Sequence, residues 1–69
     1  MVHPSESFSK MCEIHNSLVN GQKRQMVEFI DEYGTFDFFE DYLTFINSNH
    51  YNIGYFTDCV VAYHKIKGR

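Results

Sequence analysis

The sequence predicts an all-α fold, a compact single domain of about four short helices over residues 1–69. Three observations carry that expectation. Apolar residues recur at helical spacing in four separate segments. Gly21, Gly34 and the turn formers of Ser48 to Tyr51 punctuate those segments. No two segments alternate with the period of two that paired strands need. A chain of 69 residues is short. It buries only ~60% of its unfolded surface, so its stability must be thin. Seven Phe and five Tyr supply large buried area per residue and fill a small core without staples.

The first helix is expected from about Ser5 to Val19, with Ser5 as N-cap after Pro4. Phe8, Met11, Cys12, His15, Leu18 and Val19 share one helical face, and Asn20-Gly21 ends it. The second runs from about Gln22 to Tyr33, with Met26, Phe29, Ile30 and Tyr33 inward, an Arg24–Glu28 pair at i, i+4 outside, and Gly34 as its stop. The third starts at Thr35 as N-cap and runs to about Asn47. Phe36, Phe39, Tyr42, Leu43 and Ile46 form its main apolar face, and Asp37, Glu40, Asp41 and Thr44 the opposite one. Phe38 and Phe45 fall at the edge between them. The fourth segment, about Asn52 to Lys67, has a helical face of Ile53, Phe56, Cys59, Val60 and Tyr63. Its Cys59-Val60-Val61-Ala62-Tyr63 run also suits a strand, but a lone strand would have no partner. Short connections make sequential helices near neighbours. Phe8, Ile30, Phe39, Leu43, Phe56 and Val60 are the expected core.

Charge is polarised. The bases are Lys10, Lys23, Arg24, Lys65, Lys67 and Arg69, and none lies between residues 25 and 64. That stretch holds Glu28, Asp31, Glu32, Asp37, Glu40, Asp41 and Asp58. An acidic block repels phosphate, so direct nucleic-acid binding is disfavoured. A helix-turn-helix around Gly34 fails for the same reason, since its recognition helix would carry Asp37, Glu40 and Asp41 and no base.

No apolar run is long enough to span a bilayer, so no membrane partner is expected. Met1-Val2-His3-Pro4 lacks the start of a secretory signal. A cytoplasmic location with Cys12 and Cys59 reduced follows as the expectation, a Cys12–Cys59 disulfide being the alternative. Cys12-x-x-His15 and Cys59-x4-His64 suggest zinc, but positions 59 and 64 sit about 140° apart on a helix. His15 falls within an apolar face, where a hydrogen-bonded core histidine is the commoner case. No metal and no cofactor is therefore expected. With no phosphate loop, nucleophile elbow or His-Glu zinc motif, the chain is not expected to be an enzyme.

The close of the chain, Tyr55-Phe56-Thr57-Asp58 followed by Val60-Val61-Ala62-Tyr63-His64-Lys65-Ile66-Lys67, and its lack of targeting and catalytic motifs, give a resemblance. The chain resembles the small, acidic, aromatic-rich accessory proteins that bacteriophages encode. That resemblance implies a binder that blocks host enzymes or defence complexes, restriction and CRISPR systems among them, acting in the host cytoplasm. It transfers no functional residue.

The residues themselves point to a non-catalytic protein-binding module that inhibits or modulates a basic, nucleic-acid-handling partner. Acids interleaved with edge aromatics would steer and then hold such a partner. The expected contact residues are Asp37, Phe38, Glu40, Asp41 and Phe45. The alternative is a small homo-oligomeric structural or regulatory protein, a homodimer touching itself through the Phe38/Phe45 edge.

Overall fold

The structure, a computed structural model, describes residues 4–68, with side chains from Ser7 onward. Four helices follow one another: α1 (Pro4–Val19), α2 (Lys23–Tyr33), α3 (Thr35–Ser48) and α4 (Gly54–Ile66). The described residues contain no strand. The β-branched run of the fourth segment is helical. Val and Ile lower helix propensity by less than about 1 kcal/mol per residue. Burial of Cys59, Ala62 and Tyr63 on one face of α4 outweighs that. Ser5, expected as an N-cap, lies inside α1 because the helix already begins at Pro4; its side chain is outside the described ones.

Local backbone chemistry sets the other boundaries. At the end of α1, Gly21 (φ 78°) adopts the left-handed conformation. Its N–H donates to the Leu18 carbonyl at 3.1 Å and that of Gln22 to the Ser17 carbonyl at 2.8 Å, the paired bonds of a Schellman cap. Gly34 (φ 109°) both ends α2 and starts α3. Its N–H donates to the Ile30 carbonyl at 2.9 Å, and its own carbonyl accepts from Phe38 N–H at 2.8 Å. Thr35 is therefore not the α3 N-cap expected of it, because the turn falls at the residue able to hold a positive φ. Its hydroxyl instead shares a hydrogen bond of 2.9 Å with the Tyr63 hydroxyl. Asn52, expected as the first helical residue of α4, stands before the helix and accepts Gly54 N–H on Oδ1 at 2.7 Å.

The end of α3 repeats the Schellman arrangement with histidine in the glycine position. His50 (φ 57°) is the one non-glycine residue with positive φ among those described. Its N–H donates to Asn47 at 3.2 Å and Tyr51 N–H to Ile46 at 3.0 Å. The Tyr51 ring closes the motif on Phe45, with centroids 5.8 Å apart. An L-residue pays a steric penalty in this conformation that glycine does not. His50→Gly is expected to raise stability by about 0.5–1 kcal/mol. A urea midpoint unchanged or lowered in that variant would count against strain at this cap.

One core cluster draws on all four helices: Met11, Ile14 and Leu18; Met26, Val27 and Ile30; Phe38, Tyr42, Phe45 and Ile46; Cys59, Ala62 and Tyr63. Ile30 is buried as expected, and Phe39 and Phe56 pack half-buried against the cluster. Val60 is also half-buried. Phe8 and Leu43, expected in the core, are 58% and 38% exposed. Phe38 and Phe45, expected at an exposed edge, are 0% and 8% exposed.

The physical reason is the phase of α3. Its centre is Tyr42, not Phe39, a rotation of about 60° at 100° per residue. Phe38 meets Tyr33 of α2 at 6.1 Å between ring centroids, and Phe45 meets Phe8 of α1 at 5.9 Å. On the other flank Phe39 meets Phe56 at 6.2 Å and Tyr63 at 5.7 Å, both of α4. With neighbours on both flanks, α3 buries a wide arc that takes in the supposed edge and leaves Phe36 82% exposed. In α1 the buried face likewise turns to include Ile14, leaving Phe8 and Val19 outside. Arg24 and Glu28 form no ion pair; Lys10 of α1 instead approaches Glu13 at 3.3 Å and Glu32 of α2 at 3.7 Å.

The molecule measures 31 × 26 × 20 Å. Among the described residues, no helix is long and apolar enough to cross a membrane.

Candidate functional site

The five residues that the sequence singles out divide cleanly. Asp37, Glu40 and Asp41 are exposed along the outer side of α3. Phe38 and Phe45 point the other way and are core, so they form neither the contact surface nor the dimer self-contact expected of them. The rings that α3 does present are Phe36, 82% exposed, and half-buried Phe39, with Leu43 beside them. They lie at helical spacing on the α4 side, and Asp37 and Glu40 stand next to them in the first turns. The outer stripe therefore keeps its aromatic-plus-acidic character with different rings. Phe38, Tyr42, Phe45 and Ile46 fit the i, i+4, i+7, i+8 template as well as the face built on Phe39 does, so periodicity alone does not choose between them.

Asp41 differs from its two acidic neighbours in being fixed. Tyr33 donates its hydroxyl to Asp41 Oδ2. The Tyr33 hydroxyl is also hydrogen-bonded to Ser7 Oγ at 2.7 Å. Burial, and then the adjacent Asp41 carboxylate, push the Tyr33 phenol above its ordinary pKa, so it remains a donor. The chain Ser7–Tyr33–Asp41 ties α1, α2 and α3 together at one end of a cleft between α1 and α3. Phe8 and Met11 line that cleft from α1, and Asp41, Thr44, Phe45 and Ser48 from α3. It is open to solvent and holds about 310 Å³. Sequence reasoning missed Ser7, Tyr33 and Phe8 as parts of a site, because nothing in spacing along one helix shows which other helix lies beside it.

Bases lie elsewhere. Lys67 holds Asp31 at 3.0 Å, and Tyr63 donates to the other oxygen of that carboxylate at 2.8 Å. These contacts pull the Asp31 pKa down, the Lys67 hydrogen bond first. Lys23 and Lys65 flank Val61 and Ile66 where α2 begins and α4 ends.

The described residues contain no cluster of three metal-ligating side chains. Both cysteines are free. Cys59 is fully buried with its thiol against the Met26 sulfur at 3.7 Å, and burial raises its pKa to about 12. A thiol so placed is no nucleophile, since the thiolate is the reactive form. His15 is a core histidine. Its Nδ1 lies 2.8 Å from the Tyr42 hydroxyl. Tyr51 stacks flat on its ring at 4.8 Å and Tyr55 meets it edge-on at 5.0 Å.

Burial holds the His15 pKa below its ordinary value, which sets a pH dependence. In the unfolded chain this imidazole takes a proton near pH 6.5. The native state refuses it until a lower pH, so the unfolded state binds more protons in that window. Stability should therefore be level above about pH 6.5 and fall as the solution is acidified through it, by at most about 1.4 kcal/mol per pH unit. Urea melts from pH 8 to pH 5 measure this, and His15→Gln should flatten the profile. An equally steep fall in that variant would assign the effect to other groups.

No protein-family model, curated protein or solved structure matches this chain.

Proposed function

We infer that this protein is a non-catalytic protein-binding module, an inhibitor or modulator that docks through α3 on a basic, nucleic-acid-handling complex. The observation that carries the reading is the outer side of α3. There Phe36 is 82% exposed, with Asp37 and Glu40 following it on the same helix and no base. A large exposed ring is costly in water unless a partner covers it. Carboxylates around it would raise the rate of encounter with a positive surface, while the ring would slow departure. A partner whose basic groove handles nucleic acid has that charge, and occupying the groove would block it. This agrees with the role that the resemblance to bacteriophage accessory proteins implies, against host enzymes or defence complexes such as restriction and CRISPR systems; transcription machinery is another basic complex of that kind.

The test is capture of basic proteins from a bacterial lysate, followed by measuring whether the captured complex loses its nucleic-acid binding. Asp37→Asn with Glu40→Gln should slow association and flatten its salt dependence. Phe36→Ala should mainly speed dissociation. If the charge variant binds as the parent does at low salt, the acidic stripe is only a solvated face and the reading fails.

A further inference from the structure

A basic partner would be gripped somewhere in particular, and the α1–α3 cleft has the chemistry to grip one side chain. Its floor is apolar, made by Met11 and Phe45. Phe8 forms one wall, its ring 5.9 Å from Phe45 and tilted 54° to it, and yet Phe8 is 58% exposed. At one end stands Asp41, whose Oδ2 is taken by Tyr33 and whose Oδ1 has no partner among the described residues. Asn49 donates one of its two side-chain N–H groups to the Phe45 carbonyl at 2.8 Å, and its side-chain oxygen is an acceptor at the other end. Among the described residues, no Lys or Arg lines the cleft. Lys10, the base on α1, is paired with Glu13 and Glu32.

We propose that this cleft is a socket for one arginine side chain of the partner, with the guanidinium on Asp41 and over Phe8 and the aliphatic stem on Met11 and Phe45. The proposal rests on the basic-partner reading above. Three features select this ligand. Among the described lining residues Asp41 is the one charged group, beside the exposed ring of Phe8, which suits a cation with several N–H groups and repels an anion. A planar guanidinium can stack on a ring and hydrogen-bond in its plane at once, which an ammonium cannot. At about 310 Å³ and open along its length, the cleft is at the small end for a free ligand, and it fits a side chain delivered by a larger surface. The Ser7–Tyr33–Asp41 chain fixes the carboxylate before anything arrives, which reduces the ordering needed on binding.

The test uses short blocked peptides, Gly-Arg-Gly, Gly-Lys-Gly and the uncharged Gly-citrulline-Gly, titrated into isotopically labelled protein and followed by amide chemical shifts. Saturable shifts should cluster at Ser7 to Met11 and Asp41 to Asn49, stronger for arginine than for lysine and absent for citrulline. Asp41→Asn, which keeps an acceptor for Tyr33, should weaken arginine binding by roughly tenfold, the value of one charge-assisted hydrogen bond. Phe8→Ala, at an exposed position, should erase the preference for arginine over lysine. Arginine binding unchanged by Asp41→Asn would overturn the socket, as would no saturable shift at all. Shifts confined to Asp37 and Glu40 would also overturn it while leaving the acidic docking face standing, and capture weakened by Asp37→Asn with Glu40→Gln would show the same separation.

Discussion

Phe38→Ala is expected to unfold most of the protein at room temperature, whereas Phe36→Ala, two residues away on the same turn, should leave its stability within about 0.5 kcal/mol. Phe38 is fully buried. Its ring stacks on Tyr42 at 5.1 Å and meets Tyr33 and Phe39 edge-on at 6.1 and 5.2 Å. Removing such a ring costs about 3–5 kcal/mol, from lost transfer energy plus the cavity left behind. At roughly 0.05–0.15 kcal/mol per residue, a chain of 69 residues has about 3–10 kcal/mol in total. The loss is of the same size as the whole. Thermal melts followed by circular dichroism distinguish the two variants directly. A near-native transition for Phe38→Ala would put α3 in the phase that the sequence first suggests, with Phe38 outside.

The second large effect is expected at Gly34. A Cβ there would meet nothing closer than Asp37 Oδ2 at 3.9 Å, so space is not the obstacle. The obstacle is the backbone, at φ 109° and ψ 111°, which an L-residue adopts only with strain. One residue joins α2 to α3, so the strain cannot be spread along a loop. Gly34→Ala should cost about 1–3 kcal/mol. Gly21→Ala, at φ 78° in the ordinary left-handed region and with nothing within 4 Å, should cost less, about 1 kcal/mol. Equal losses in the two variants, measured by urea denaturation, would remove the special role given to the α2–α3 joint.

These two expectations mark where sequence reasoning reaches and where it stops. Gly34 was legible because a backbone conformation is a property of one residue and its immediate neighbours. So were the four helices, the stop at Gly21 and the inward side of α2, where Met26 and Ile30 leave little choice of face. His15 was legible as a core histidine, although its Tyr42, Tyr51 and Tyr55 partners were not. The choice between Phe36 and Phe38 was not legible. Phe36, Phe38, Phe39 and Phe45 span about half the circumference of α3 at 100° per residue, and so wide an apolar arc has no single phase by its own periodicity. The expected contact site inherited that error: its acids lie on the surface, and its two rings lie in the core.

The sequence by itself determined the all-α class, the number and approximate ends of the helices, and an acidic α3 without a base. Each follows from short-range rules of period, punctuation and charge that operate within a few residues. Only the tertiary structure decided which arc of α3 is buried, because that depends on α1 and α2 packing on one flank and α4 on the other. The same packing exposes Phe36 and fixes Asp41 through Tyr33 and Ser7. It also opens a cleft beneath Phe8, between two helices that are separated along the chain by the whole of α2.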